Sequence, residues 1–157
     1  MRKPFYSVSL TRADLRLLGV ICTHWSQFEM LVDLWFAGVL KIPLTDSKLR
    51  RDISQKMTRL KTSVETNISD KTQRLHMLSV CDRGIAIALR RNLAIHGRWA
   101  MDSDKQSPVA VSWFKVRPPE KMKIMSASEL PAIADEIADL THEMQAFLTS
   151  QGVFPGA

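Results

Sequence analysis

The sequence predicts an all-α protein, a bundle of about four long helices with a small β-like hairpin insert near residues 108–125. In four segments, apolar residues recur every three or four positions, which is the spacing of one face of an α-helix. Between the third and fourth segments they alternate instead, as is typical of a strand. The 157 residues suit a single domain, residues 1–157, that is long enough to bury a core without disulfides or a metal.

The first predicted helix occupies residues 11–40. Thr11 and Asp14 have the spacing of a capping box, and Pro43 ends the segment. Apolar side chains cover a wide arc of this helix, which predicts a central position in the bundle. Glu29 falls inside the arc, where a carboxylate needs a partner.

The second helix is predicted from about Ser47 to Thr66 and the third from about Lys71 to Gly97, each with an apolar stripe. The stripe of the second helix consists of Leu49, Ile53, Met57, Leu60 and Val64. The stripe of the third consists of Leu75, Leu78, Cys81, Ile85, Leu89 and Leu93. Gly84 interrupts the third helix, and we expect a neighbouring helix to pack closely there.

The predicted insert covers about residues 98–126. Its two short strands are indicated by alternating apolar residues from Val109 to Trp113 and again at Met122 and Ile124, with a Pro-Pro turn between them.

The closing helix is predicted for about residues 128–150. Pro131 is tolerated only in the first turn of a helix, which favours Ser128 over Ser126 as its N-cap.

The charge is unevenly distributed along the chain. Lys and Arg number 22 against 16 Asp and Glu, a net charge of +6. Residues 41–75 carry nine basic and four acidic groups, whereas residues 127–157 carry five acidic groups and no basic one. A basic surface suits an anionic partner such as RNA, although a merely solvated face has the same composition. The cations that we assign to RNA binding are Arg51, Lys56, Arg59, Arg90 and Arg98.

The sequence argues against several kinds of binding site and against secretion or membrane association. The sequence contains no Gly-rich phosphate loop, no Gly-x-Ser-x-Gly and no His-Glu-x-x-His, so we expect no metal and no cofactor. Cys22 and Cys81 lie in apolar stretches without a Cys-x-x-Cys pattern, which fits two reduced thiols. Charged residues interrupt any signal-peptide core and the apolar stretch Leu31 to Leu44, so no membrane association is expected. These features predict a soluble cytoplasmic protein.

The residues suited to chemistry lie together at the predicted end of the third helix, in Arg90-Arg91-Asn92-Leu93-Ala94-Ile95-His96-Gly97-Arg98-Trp99. Arg91 can hold a phosphate through two charge-assisted hydrogen bonds. His96 can transfer a proton near neutral pH, and Asn92 can orient either group. Such groups suit metal-independent cleavage of RNA by its own 2′-hydroxyl.

The spacing of these residues constrains how they can meet. Asn92 and His96 are four positions apart and share a helical face, whereas Arg91 and His96 are roughly 140° apart on an ideal helix. Either the helix ends or bends between Arg91 and His96, or a second copy of the chain completes the site. A symmetric dimer would bring two such helix ends together.

The segment Arg91 to His96 resembles the Arg-x4-6-His motif of the HEPN superfamily. Asn92 supplies the polar residue that commonly follows the arginine, and the form Arg-Asn-x-x-x-His-Gly is similar to that of small bacterial HEPN proteins. The resemblance extends over most of the chain, from a long first helix with Trp25 and Glu29 to the closing helix. The insert at 98–126 departs from it.

The resemblance implies a homodimeric ribonuclease that needs no metal, of the kind that serves as a toxin or in defence against phage. Arg91 would then contact the scissile phosphate, His96 would transfer a proton or stabilise the leaving group, and Asn92 would orient them, with Glu29 in a supporting position. A nucleotidyltransferase-like antitoxin is the partner that the resemblance implies.

Two other interpretations fit the same residues. The chain can be a non-catalytic HEPN-type module that binds a nucleotide, RNA or a protein. It can also be a dimeric scaffold in which Arg91 pairs with a carboxylate such as Glu29 and His96 only caps the helix. Trp99 and Trp113 flank the motif, and for both we favour packing over stacking on a base.

Overall fold

The computed structural model describes residues 6–7, 10–43, 45, 52–102, 104, 106–112 and 124–154. In chain order, these residues form β1 (Tyr6–Ser7), α1 (Arg12–Gly38), α2 (Ile53–Asn67), α3 (Lys71–His96), β2 (Arg98–Asp102), β3 (Ser107–Val111), β4 (Ile124–Ser126), a short 3₁₀ helix (Ala127–Glu129) and α4 (Leu130–Ser150). The described chain is therefore mostly helical, with four long helices and a small antiparallel sheet, which confirms the general class that the sequence predicts.

The chain divides into two compact units. The sheet unit comprises Met1–Cys22 and Leu89–Asp135, and the helical unit comprises Thr23–Ala88 and Glu136–Ala157. The predicted motif at the end of α3 belongs to the sheet unit.

Aromatic side chains of α1 form the centre of the helical unit. Trp25, Phe28, Trp35 and Phe36 are at most 1% exposed. The Trp35 indole donates to Ser63 Oγ over 3.1 Å, and its ring centroid lies 4.9 Å from that of Phe147 on α4. Ser63 can therefore be buried on α2, because it satisfies the one polar group of a buried tryptophan.

Two predictions about α2 and α3 packing are confirmed. The described part of the α2 stripe is buried, namely Ile53, Met57, Leu60 and Val64. A Cβ atom added at Gly84 would lie 2.7 Å from Met57 Cε and 3.3 Å from Phe28 Cζ. Gly84 is thus a point of close approach, as the interruption of the α3 pattern predicts.

The stripe predicted for α3 is wrong in part. Leu75 and Leu89 are 56% and 54% exposed. Cys81 of the predicted stripe is buried, and the other buried apolar residues of α3 are Met77, Val80, Ile87, Ala88 and Ala94. α3 carries apolar residues on more than one face, and the face that contains Gly84 is the one that lets a neighbour approach closely.

Side-chain caps explain where α1 and α2 begin. Thr11 Oγ1 accepts from the Asp14 amide over 3.1 Å, and Asp14 accepts from the Thr11 amide over 3.0 Å, which confirms the predicted capping box. α2 begins at Ile53, later than predicted, because Asp52 accepts from the Ser54 amide over 2.9 Å as its N-cap. Residues 46–51, with Arg51 and Leu49, lie outside the described residues.

The closing helix begins through a 3₁₀ turn that the sequence interpretation missed. Ser126 is the cap of this turn, and its amide donates to Glu129 Oε1 over 2.9 Å in a capping box. The prediction of Ser128 as the cap is therefore wrong. The 3₁₀ turn takes up the residues before Leu130 and leaves Pro131 in the first turn of α4, where proline is tolerated.

The sheet has the order β1-β2-β3-β4 with antiparallel neighbours. β3 and β4 form the predicted hairpin, with Val109 opposite Ser126 and Val111 opposite Ile124. β2 was not predicted, and it pairs with β3 directly after α3 ends. Trp113 and Met122 lie outside the described residues.

Across the described ranges, no helix is both long enough and apolar enough to cross a membrane.

Candidate active site at the end of helix α3

Helix α3 continues through the whole predicted motif and has His96 as its last residue. The helix therefore does not end between Arg91 and His96. On a regular helix their side chains leave the axis roughly 140° apart. Within one copy of the chain, the two groups project from different faces of α3.

Arg91 and Asn92 are brought together by a hydrogen bond. Arg91 Nη1 donates to Asn92 Oδ1 over 3.0 Å, while the Nε atom of Arg91 is buried. Asn92 lies only roughly 40° from His96 around the helix. The bond therefore places the guanidinium on the side of α3 that is nearer to His96.

The His96 side chain is exposed. Within the described part of the chain, no hydrogen bond joins its ring to Asn92. The described contacts with the last carbonyls of α3 come from other residues, since the Gly97 amide donates to Leu93 O over 2.9 Å and the Trp99 indole donates to Ala94 O over 3.1 Å. The imidazole is therefore open to solvent, and the described capping contacts are supplied without it.

Trp99 is a site residue whose contribution sequence reasoning missed. Its indole satisfies a carbonyl at the end of α3, which explains its partly buried position. The sequence feature that could have pointed to Trp99 is its position two residues beyond a helix-ending glycine. Apolar periodicity does not reveal a side chain that folds back onto its own helix.

Glu29 has its described partner on its own helix. The Trp25 indole donates to Glu29 Oε1 over 2.9 Å in the helical unit. This bond explains how a carboxylate is tolerated inside the apolar arc of α1, because a charged acceptor with a donor partner loses less on burial.

The cations predicted to follow RNA differ in their surroundings. Lys56 is only 9% exposed and its Nζ atom lies 2.7 Å from Asp33 Oδ1, so its charge is compensated inside the helical unit rather than presented on a basic face. The Arg59 guanidinium lies over the Phe36 ring, 5.6 Å from its centroid. Arg51 lies outside the described residues.

The other two predicted cations belong to the sheet unit, like His96. Arg90 lies on α3, with Nη2 3.4 Å from Glu129 Oε2, and both side chains are more than two-fifths exposed. Arg98 is exposed at the start of β2, two positions after His96. Arg98 is therefore well placed, among the five predicted cations, to meet an anion beside the candidate site.

The acidic closing helix pairs with basic residues of α3. Arg83 Nε lies 2.8 Å from Glu136 Oε1, and its Nη1 lies 2.7 Å from Glu143 Oε1. These hydrogen bonds raise the pKa of the Arg83 guanidinium above its ordinary value. The uneven charge of the sequence is thus partly compensated inside the helical unit.

A cleft of about 300 Å³ lies in the helical unit. Its walls come from α1, the residues just after it and α2, namely Phe36, Leu40, Arg59, Thr62, Ser63, Thr66 and Asn67. The hydroxyls of Thr62 and Thr66 donate to carbonyls of their own helix, which leaves their oxygen atoms able to accept hydrogen bonds. None of the predicted motif residues lines it.

Neither metal-binding groups nor comparison with known proteins indicates a function for the chain. Among the described residues, no group of three or more His, Cys, Asp or Glu side chains is placed to hold a metal ion. No protein-family model matches the chain, and it has no significant match among curated proteins or solved structures. Any functional conclusion therefore rests on the residues and geometry of this chain.

Proposed function

We propose that the protein is a metal-independent endoribonuclease of HEPN type, with a composite active site at a homodimer interface. The observation that carries the proposal is the arrangement at the end of α3, where the Arg91 guanidinium is held by Asn92 toward the side of the exposed His96. A cation held by a neighbouring amide and an accessible imidazole are the two groups that phosphodiester cleavage requires, and the dimer is proposed to bring them together.

The proposed reaction uses the RNA's own 2′-hydroxyl as the nucleophile. This oxygen forms a bond to the adjacent phosphorus while the bond from phosphorus to the 5′-oxygen breaks, which leaves a cyclic phosphate and a free 5′-hydroxyl. Arg91 stabilises the charge that develops on the phosphate oxygens. His96 takes up the proton of the 2′-hydroxyl or delivers one to the leaving 5′-oxygen, and water carries the other proton.

The surroundings of His96 support a dimer. Leu89 is 54% exposed and Leu93 is half-buried, and their spacing of seven and three positions from His96 puts them on the same face of α3. In the proposal, Leu89 and Leu93 belong to the face of α3 that a second copy of the chain covers. A second copy that covers this face would bring its own polar groups to His96. Arg91 and His96 of one chain, which are separated around α3, would then not need to meet.

The biological role belongs to the same proposal. As a HEPN-type ribonuclease, the protein would act in the cytoplasm as a toxin or phage-defence effector, with a nucleotidyltransferase-like antitoxin as its partner. The resemblance of the motif supports this role, and co-purification of the chain with the product of a neighbouring gene is the direct test.

The alternative function is a non-catalytic HEPN-type module that binds a nucleotide, RNA or a protein. The specific observation in its favour is the cleft beside Phe36 and Arg59, which combines an aromatic ring, a cation and hydroxyl acceptors without using the motif. Under this alternative, Arg59→Gln would abolish binding, whereas His96→Ala would leave it intact.

The proposal is tested by incubating the purified protein with mixed cellular RNA in EDTA, beside His96→Ala as the matched control. We expect the wild type to cleave RNA and to leave cyclic-phosphate ends, and the variant to be at least about a hundredfold slower. Cleavage at an unchanged rate by His96→Ala would contradict the assigned role, and inactivity of the wild type on every RNA would favour the binding module.

A further inference from the structure

We propose that Trp99 is a positioning residue that fixes His96 at the end of α3, an inference that rests on the proposed ribonuclease function. The feature concerned is the junction between α3 and β2, where Gly97 alone separates His96 from the strand. The whole junction lies in the sheet unit.

Trp99 connects the helix to the sheet through two different parts of one residue. Its backbone belongs to β2, opposite Ala110 of β3. Its indole donates to Ala94 O over 3.1 Å. Carbonyls in the last turn of a helix lack intrahelical donors, and the backbone of residue 98, the donor expected for Ala94, is already part of the strand.

The path between helix and strand has no spare room. A Cβ atom added at Gly97 would collide with Leu93 O and would lie 3.2 Å from Ala110 Cβ. The Gly97 amide also donates to Leu93 O over 2.9 Å. Backbone sterics and the indole bond therefore act together on the residues that flank His96.

The His96 ring depends on this backbone for its placement. The ring is exposed, and no described hydrogen bond holds it to Asn92. A displacement of about 1 Å at a reacting group can cost about a hundredfold in rate. Trp99 thus acts through His96 and not on the substrate, which separates it from a catalytic residue.

The test removes the indole N–H and keeps an aromatic ring, in Trp99→Phe. Trp35→Phe is the matched control, because it removes an indole N–H that donates over the same 3.1 Å to Ser63 in the helical unit. We expect Trp99→Phe to lower kcat about tenfold with KM unchanged, and Trp35→Phe to change kcat by less than about twofold. In a His96→Ala background, Trp99→Phe should have no further effect, because the two residues act on one step.

A second readout does not depend on RNA cleavage. The His96 ring signal in the NMR spectrum, assigned by its loss in His96→Ala, should shift and broaden in Trp99→Phe and stay unchanged in Trp35→Phe. If Trp99→Phe does not fold, replacing Trp99 by benzothienylalanine keeps the bicyclic shape and removes only the N–H.

The outcomes separate the two proposals. An unchanged His96 signal in a folded Trp99 variant, or a loss of kcat that is additive with His96→Ala, would overturn the positioning role. If the wild type cleaves no RNA, the ribonuclease proposal fails, and the NMR comparison alone then decides whether Trp99 places His96.

Discussion

At the scale of single residues, burial determines the chemistry of Cys81. Its side chain is 0% exposed, and burial raises the pKa of the thiol from 9.0 to about 12. The folded protein therefore keeps this proton where the unfolded chain has lost it. The stabilising contribution is complete below pH 9 and is lost as the pH rises toward about 12.

This raised pKa gives a prediction for alkaline stability. Between pH 9 and pH 11, the free energy of unfolding of the wild type should fall more steeply than that of Cys81→Ala, by up to about 1.4 kcal/mol per pH unit. Urea unfolding at several pH values measures the two slopes. Cys22→Ala is the control, since Cys22 is only half-buried. Identical slopes for the wild type and Cys81→Ala would show that the thiol titrates alike in both states.

Two helical glycines provide a matched pair for packing. A Cβ at Gly84 would lie 2.7 Å from Met57 Cε, whereas a Cβ at Gly19 would meet nothing within 4 Å. Gly84→Ala should gain less stability than Gly19→Ala, because the flexible end of Met57 must move aside and Phe28 Cζ lies only 3.3 Å away. Gly19→Ala should stabilise it by about 0.5–1 kcal/mol. Thermal unfolding measures both, and an equal gain in stability would contradict the packing described for Gly84.

The site residues show what a sequence reveals at this scale. Arg91, Asn92 and His96 could be selected as candidates because their chemistry and spacing are local. The hydrogen bond between Arg91 and Asn92 could have been predicted for the same reason. The pairing of Lys56 with Asp33 was not, since 23 positions separate the two residues and only tertiary packing brings them together.

At the scale of elements, α2 carries two lysine ion pairs in different surroundings. Lys56 and Asp33 are 11% and 29% exposed, whereas Lys61 and Asp82 are 34% and 62% exposed. Lys56→Gln should cost about 2 kcal/mol, because it leaves a partly buried carboxylate without its cation. Lys61→Gln should change stability much less, since water screens that pair. Urea unfolding compares the two, and an equal loss would contradict the buried position of Lys56.

Elements differed in how far the sequence predicted them. The existence of all four helices followed from long periodic patterns, and the β3–β4 hairpin from alternation. β2 was missed because Arg98–Asp102 shows no clean alternation, and its strand character comes from pairing with β3. The buried face of α3 was partly misassigned because periodicity identifies an apolar face but does not choose between two.

At the scale of the whole molecule, the charge pattern has a structural explanation that composition could not supply. Acidic residues of α4 pair with Arg83 in the helical unit, and Glu129 pairs with Arg90 in the sheet unit. Part of the acidic charge of residues 127–157 is therefore compensated by arginines of α3. In the proposed ribonuclease, RNA binding is assigned to cations near the end of α3, such as Arg98.

The central claim is that Arg91 and His96 cleave RNA together at a site made by two copies of the chain. The most direct measurement is the RNA cleavage rate of a heterodimer of Arg91→Ala and His96→Ala copies, isolated through two different tags and compared with each variant homodimer. Each copy keeps the group that the other has lost, so a composite site predicts a heterodimer at least about tenfold faster than either homodimer. A heterodimer no faster than its parents, beside an active wild type, would contradict the composite site.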